Sequence, residues 1–255
     1  MSTLNPRQQF ICNLARERGF VMIDALAAEL SVTTQTIRRD LTFLCDQGML
    51  SRFHGGAAYR SSVENMAYEA RLGTLSTEKE QIARIVASRI PDDSSVFIDI
   101  GTTCEAVSRA LLEKRGLRVV TNNLHVISAL AGKSDIELAI AGGDIRQRDL
   151  AVVGAAATSF ISKFEVDVSL LGVVGISESG DILDFSANEE LLTQAIISIG
   201  RKKIIVADHT KFGRPALAKV AHIRQVNTIV SDSALSPSWR ARIRQHDVEL
   251  ATEDR

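Results

Sequence analysis

The sequence has little of what marks several common classes of protein. Its 255 residues include only three cysteines, which lie far apart and form no C-x-x-C pair. This excludes a disulfide framework and predicts free thiols, and no cysteine–histidine cluster has the spacing of a metal site. The apolar runs are short and broken by polar residues, so no segment is predicted to span a membrane.

Signals for export and for nucleotide cofactors are also missing. The first ten residues, MSTLNPRQQF, contain no apolar segment of a signal peptide, so we expect a cytoplasmic protein. Neither the P-loop nor the dinucleotide-binding glycine spacing occurs, and the sequence predicts no cofactor. The net charge of −1 does not by itself favour nucleic acid. Residues 1–60, however, carry seven arginines against five acidic residues and are mildly basic.

The pattern of the chain changes near residue 58. Residues 1–58 contain three short helical stretches and a Gly-Gly turn, which predict a winged helix-turn-helix domain that binds DNA. Residues 59–75 are polar without a clear period and are predicted to be a linker. In residues 76–255 apolar strands alternate with helical segments, which predicts an α/β domain with a mainly parallel sheet.

The third predicted helix carries the argument for DNA binding. It begins near Thr34, ends near Gln47 and has an apolar stripe of Ile37, Leu41 and Leu44. The opposite face is rich in Thr, Gln and Arg, which suit major-groove contacts, and the following strand and Gly-Gly turn suit a wing. The predicted DNA-binding residues are Thr34, Gln35, Thr36, Arg38, Arg39, Arg52 and His54. Periodicity alone also allows a plain amphipathic surface helix whose Asp40 and Asp46 pair with arginines.

In the second domain, polar residues follow four of the predicted strands. Ligands of open parallel sheets bind at the carboxyl ends of strands, and a helix N-terminus there favours phosphate. The asparagines are either partners of ligand hydroxyls or helix caps, and the arginines are either phosphate ligands or solvated charges. The predicted effector-binding residues are Asp99, Gly101, Thr102, Thr103, Thr121, Asn122, Asn123, Gly142, Gly143, Arg146, Arg148, Asp208 and Lys211. Cys104, beside the glycine turn, is either a packing residue or an activated thiol.

Several motifs together resemble the DeoR family of transcriptional repressors. They are residues 31–41 (SVTTQTIRRDL), 52–57 (RFHGGA), 97–103 (FIDIGTT), 120–123 (VTNN), 141–149 (AGGDIRQRD) and 207–214 (ADHTKFGR). The resemblance implies a winged helix-turn-helix and a sensor domain similar in fold to ribose-5-phosphate isomerase. It adds Glu189 to the effector site. It also implies a homo-oligomer, dimer or tetramer, that binds double-stranded operator DNA of carbohydrate or glycerol metabolism genes and is released by a small phosphorylated metabolite.

Alternatives remain open at this point. Glycerol 3-phosphate is the first candidate effector, and another sugar phosphate or a sulfosugar is the alternative. The sequence departs from the family pattern at two places. The segment after Arg148 lacks the expected glycines, and after Glu189 Leu, Thr and Gln replace basic residues. Asp99, Glu189, Asp208 and Lys211 would also suit acid–base isomerisation, although we expect no enzyme. A binding module that never contacts DNA is the third possibility.

Overall fold

The computed structural model describes residues 4–18, 20–53, 55–59, 68 and 75–253. Its helices and strands form two compact units. The contacts divide the chain into Met1–Ala70 and Arg71–Arg255. Within the described residues, the helices are too short or too polar for any of them to cross a membrane. Most of the predicted linker, residues 59–75, and all of His54 lie outside the described residues.

The N-terminal unit packs three helices on a small antiparallel sheet. The sheet order is β1-β3-β2, and β2 and β3 form a hairpin whose strands are joined at residues 54–55. Ile37, Leu41 and Leu44 of the third helix are buried as their period predicts. The elements are α1 (Pro6–Arg18), β1 (Phe20–Met22), α2 (Ile23–Glu29), α3 (Thr34–Asp46), β2 (Leu50–Phe53) and β3 (Gly56–Tyr59). The winged helix-turn-helix prediction is confirmed, and only the three-residue β1 was not predicted.

The C-terminal unit is built on a seven-stranded parallel sheet with the order β15-β14-β12-β9-β4-β5-β6. Its strands are β4 (Ser95–Ile98), β5 (Arg118–Thr121), β6 (Glu137–Ile140), β9 (Val166–Gly172), β12 (Gly200–Val206), β14 (Thr228–Val230) and β15 (Glu249–Ala251). Val96 and Ile98 belong to one apolar cluster, whereas Phe97 between them belongs to another. Because successive side chains of a strand point to opposite faces, both faces of the sheet are covered. The α/β prediction is confirmed.

Helices connect most of these parallel strands. They are α4 (Ser76–Ser88), α5 (Thr102–Ala110), α6 (Leu124–Leu130), α7 (Ala155–Ile161), α8 (Glu190–Ile199) and α9 (Pro237–Arg244). Two antiparallel additions flank the sheet: a hairpin of β7 (Asp144–Arg146) and β8 (Ala151–Val153), and a sheet of β10 (Gly175–Ile176), β11 (Asp181–Asp184) and β13 (Ala218–His222). Arg146 is the last residue of β7, and Asp184 is the last residue of β11.

Candidate functional site

The exposed face of α3 carries the predicted DNA-binding side chains. The helix begins after Thr33, whose hydroxyl oxygen accepts a hydrogen bond from the backbone N–H of Thr36 at 3.3 Å. This cap satisfies one of the free donors of the first turn. Four of the predicted residues are exposed and Thr36 is half-buried; the exposed ones are Thr34, Gln35, Arg38 and Arg39. The arrangement leaves the N-terminal half of α3 available for contacts with bases and phosphates.

One ion pair and one hydrogen bond hold the buried carboxylate of α3, Asp40. Asp40 is buried and accepts from Arg7 of α1 at 2.5 Å and from Gln8 at 3.1 Å. Its carboxylate therefore ties α3 to α1 and does not neutralise Arg38 or Arg39, which form no ion pair with the described residues. Asp40 therefore does pair with an arginine, as the alternative allowed, but that arginine is Arg7 of α1.

The wing is connected directly to α3. Arg52 of β2 is exposed, and its guanidinium donates to the Thr42 hydroxyl at 2.5 Å. The same hydroxyl donates to the carbonyl oxygen of Arg38 at 2.8 Å. Arg52 thus lies beside the exposed face of α3, where a single phosphate can contact both elements.

In the C-terminal unit, the ends of β4 and β5 carry half of the predicted effector residues. Gly101 adopts a φ of 113°, which favours glycine, and precedes the first turn of α5. Thr102 and Thr103 follow it and are buried, as is Asp99 before it. A helix N-terminus, two hydroxyls and one carboxyl group therefore lie within five residues at this edge of the sheet.

The three polar residues after β5 have different roles. The Thr121 hydroxyl donates to the Ile98 carbonyl at 2.6 Å, and its oxygen accepts from the Asn123 backbone N–H. The side-chain Oδ1 of Asn123 accepts a hydrogen bond from the His125 backbone N–H at 2.9 Å and so caps α6. Asn122 is fully buried, yet neither of its amide atoms has a hydrogen-bond partner among the described residues. Leaving a buried amide without a hydrogen-bond partner is costly.

An ion cluster centred on Arg146 lies close to these strand ends. Its guanidinium donates to both carboxylate oxygens of Asp149, at 2.8 and 2.9 Å, and to Glu189 at 2.5 Å. The Nε atom of Arg148 lies 3.8 Å from a carboxylate oxygen of Asp149. The carboxylates hold the Arg146 pKa above its ordinary value, and the cluster links the β7–β8 hairpin to the start of α8. Arg146 is therefore neutralised by two acids, which argues against a free phosphate clamp at this position.

Two acids next to this cluster, the buried Asp99 and the half-buried Asp184, have raised pKa values. Burial raises the pKa of Asp99 to about 7, and the charges of Glu189 and Asp184 add to the rise. Asn122 lies close enough to lower that pKa in turn, although its amide makes no hydrogen bond of normal geometry. Burial and the charge of Glu189 raise the pKa of Asp184 to about 6. Asp184 and Asp149 were not predicted from sequence; only the presence of carboxylates near the ligand-binding edge of the sheet was a signal for them.

Packing explains one of the two glycines after β6. Gly143 has a φ of 155°, and a Cβ there would lie 2.7 Å from the carbonyl oxygen of Val153. The close approach of the β7–β8 hairpin therefore requires this glycine. Gly142 is exposed and has open space around its Cβ position, so packing does not require a glycine there.

The remaining predicted residues follow β12, which β9 separates from β4. Asp208 is buried, and its carboxylate accepts hydrogen bonds from the backbone N–H and the hydroxyl of Thr210. Asp208 therefore caps the short helical turn that follows it. Lys211 ends that turn and is half-buried. The strand order places these residues apart from the Arg146 cluster although they belong to the same edge of the sheet.

Cys104 is not an activated thiol. It is fully buried in the first turns of α5. Burial, together with the nearby Asp99 and Glu105, raises the pKa of the thiol well above its ordinary range. The interpretation of Cys104 as a packing residue is therefore the one that its surroundings support.

Comparison with known proteins identifies the family. The DeoR-like helix-turn-helix domain matches residues 7–63, and the DeoR C terminal sensor domain matches residues 75–233. This chain belongs to the DeoR family of transcriptional repressors. The DeoR-family chain is 42% identical over 244 residues to the glycerol-3-phosphate regulon repressor of Escherichia coli (strain K12), covering 96% of this chain and 97% of that one. It is 38% identical over 248 residues to the repressor CsqR of the same organism, covering 97% and 95%.

These relatives are repressors and not enzymes, so the expectation of a non-enzymatic protein is confirmed. Among solved structures, ribose 5-phosphate isomerase A from Methanocaldococcus jannaschii matches 52% of this repressor and 53% of its own chain. That match has a TM-score of 0.38 and 11% identity. A TM-score this low carries no argument about function.

Proposed function

We propose that this repressor binds operator DNA through α3 and the wing and is released when a small phosphorylated metabolite binds the C-terminal unit. The observation that carries the effector site is the buried amide of Asn122 at the end of β5, which has no hydrogen-bond partner of normal geometry among the described residues. A folded protein retains such a group against a cost of about 1–3 kcal/mol when another molecule satisfies it.

The DNA interface consists of the predicted residues on α3 and β2. Arg38 and Arg39 are exposed and free of carboxylate partners within the described residues, so both are available to guanine or phosphate. Thr34 and Gln35 lie in the first turn, which is the part of a recognition helix that reaches base edges. Arg52 supplies a phosphate contact from the wing, and His54 completes the proposed set.

The effector interface lies at the carboxyl-terminal edge of the parallel sheet. Gly101, Thr102 and Thr103 offer backbone N–H groups and hydroxyls, and Asn122 offers a donor and an acceptor. The acids near Arg146 provide acceptors for hydroxyl groups. This combination suits a phosphorylated polyol, with glycerol 3-phosphate as the first candidate and another sugar phosphate or a sulfosugar as the second.

The switch itself requires an oligomer, at least a dimer, that presents two recognition helices to a repeated operator. The effector must bind more tightly to the conformation that does not fit the operator, since otherwise it shifts nothing. Such a repressor would act in the cytoplasm on genes of glycerol or carbohydrate metabolism.

Fluorescence anisotropy of labelled DNA from upstream of the repressor's own gene tests this proposal. At fixed salt, we expect tight binding that glycerol 3-phosphate releases and that glycerol does not. Tight binding that glycerol 3-phosphate leaves unchanged would discard this effector, and the same assay with other sugar phosphates and a sulfosugar would follow. Binding no tighter than to unrelated DNA of the same length would contradict the assignment of this operator.

A further inference from the structure

A threonine on the exposed face of α3 contacts the arginine of the wing. Thr42 is exposed and lies one helical turn after Arg38. Its hydroxyl oxygen accepts a hydrogen bond from Nη1 of Arg52 at 2.5 Å, and the same hydroxyl donates to the backbone carbonyl oxygen of Arg38 at 2.8 Å. A hydroxyl group has one proton and two acceptor positions, so both contacts exist together. The Thr42 hydroxyl therefore connects the wing to the backbone of α3.

The bond to the Arg38 carbonyl fixes the direction of the Thr42 hydroxyl. In a helix, a threonine side chain has two favoured χ1 rotamers, because its oxygen can bond the carbonyl three or four residues earlier. Thr42 makes this bond to the carbonyl four residues earlier, so its acceptor positions face Arg52 in one orientation. Threonine is a weak helix former, and an exposed side chain adds nothing to the core. The helix thus gains little from Thr42, whereas the wing gains a fixed acceptor.

The contact with Thr42 leaves one edge of the Arg52 guanidinium available. Thr42 occupies Nη1, whereas Nε and Nη2 make no hydrogen bond with the residues that the structure describes. These two nitrogens form the side-on edge of a guanidinium, which matches two oxygens of a phosphate. Asp46 is the acid one turn after Thr42 on α3, and within the described part of the chain it forms no ion pair with Arg52. The charge of Arg52 is therefore not neutralised on this face.

We propose that Thr42 is a positioning residue for DNA binding, which holds the side-on edge of Arg52 toward a phosphate beside α3. This inference rests on the proposed function, because it concerns the wing contact of the same DNA interface. It adds a residue that acts through Arg52 and needs no DNA contact of its own. Holding a long, exposed arginine side chain in place before binding reduces the conformational entropy that is lost on binding, and this raises affinity.

Variants of the full-length protein test the inference by fluorescence anisotropy with labelled duplex DNA. Thr42→Val keeps the branched shape but removes the hydroxyl, and it should bind about twofold to tenfold more weakly, the range for one hydrogen bond. Thr42→Ser keeps the hydroxyl and should retain most of the affinity. In the Arg52→Ala background, Thr42→Val should have no further effect, because the side chain that it positions is absent.

A threonine of the C-terminal unit provides a matched control. The hydroxyl of Thr158 in α7 donates to the carbonyl oxygen of Gly154 at 3.2 Å, also four residues earlier, but no arginine of the described residues donates to it. Thr158→Val should therefore leave DNA affinity unchanged. Thermal unfolding followed by circular dichroism adds a second readout. Threonine and valine have similar helix propensities, so Thr42→Val should keep the Tm of the parent protein. A lowered Tm, with binding weakened equally in the Arg52→Ala background, would assign Thr42 a structural role and overturn the inference.

The outcomes separate this inference from the proposed function. If Arg52→Ala weakens DNA binding and Thr42→Val does not, the wing contact is kept and the positioning role is refuted. If Arg52→Ala binds as tightly as the parent protein, the proposed wing contact is itself wrong and the inference falls with it. A phosphate contact does not depend on base sequence. The same comparison on unrelated duplex DNA at low salt therefore decides the inference even if the chosen operator is wrong.

Discussion

Replacement of Asn122 by leucine is expected to stabilise the C-terminal unit while removing its response to effector. The amide of Asn122 is fully buried, and neither of its atoms has a hydrogen-bond partner of normal geometry among the described residues. Leucine keeps the branched shape of the side chain. The hydrogen bond from the Val152 backbone N–H to the Asn122 backbone carbonyl oxygen, 2.7 Å long, does not involve the side chain and is retained in the variant. Each unsatisfied buried group costs about 1–3 kcal/mol, so even after some loss to the larger volume we expect a net gain of about 1–3 kcal/mol.

The neighbouring asparagine provides a matched comparison. Asn123 caps α6 through its side-chain oxygen, so Asn123→Leu loses about 0.5–2 kcal/mol of capping. Its side-chain nitrogen is also buried without a hydrogen-bond partner among the described residues, so leucine removes one such atom there and two at Asn122, and Asn123→Leu should be the less stable of the two variants. Urea unfolding followed by tryptophan fluorescence measures both variants, because the single tryptophan, Trp239, packs on Phe212 in the C-terminal unit. For a domain of this size, 1–3 kcal/mol corresponds to a rise in Tm of about 2–10 °C.

The result that would refute this reasoning is a destabilised Asn122→Leu variant that still responds to effector. It would mean that the amide is satisfied within the protein and takes no part in binding. The smaller Asn122→Val variant distinguishes this outcome from simple overpacking, since a volume problem would disappear in valine. Operator affinity without effector should be unchanged in all three variants, because α3 lies in the other unit.

Two further predictions concern the charges. The double variant Arg38→Ala, Arg39→Ala should bind operator DNA more weakly in the anisotropy assay. Where both arginines contact phosphate, the slope of log K against log salt concentration should also become shallower by up to about 2. An unchanged slope and affinity would remove α3 from the interface. Burial raises the pKa of Asp99 to about 7 from an ordinary 3.8, so between these values the folded state holds a proton that the unfolded state has lost. Stability should therefore fall as pH rises from about 4 to 7, and Asp99→Asn should show a smaller fall in urea unfolding at stepped pH; equal slopes would contradict a buried, protonated Asp99.

Much of the fold follows from local patterns. The period of Ile37, Leu41 and Leu44 predicted α3 to within one residue of its observed end, and the predicted alternation of strands and helices in residues 76–255 is observed. The strands β7, β8, β10 and β13 were not predicted, because runs of two to five residues with mixed polarity carry little periodic signal. The ends of β4 and β5 were predicted as polar, but the separate roles of Thr121, Asn122 and Asn123 were not.

The sequence by itself determined the fold class, the family and the edge of the sheet at which polar residues gather. These properties depend on local periodicity and on motifs of adjacent residues. Only the tertiary structure decided which charges meet: Glu189 reaches Arg146 across 43 positions, and Asp232 reaches His209 across 23. It also decided that the Asn122 amide is buried without a hydrogen-bond partner of normal geometry in the part of the chain that the structure describes. The physical reason is that strand order and the packing of short hairpins set these contacts, and no local period encodes either of them.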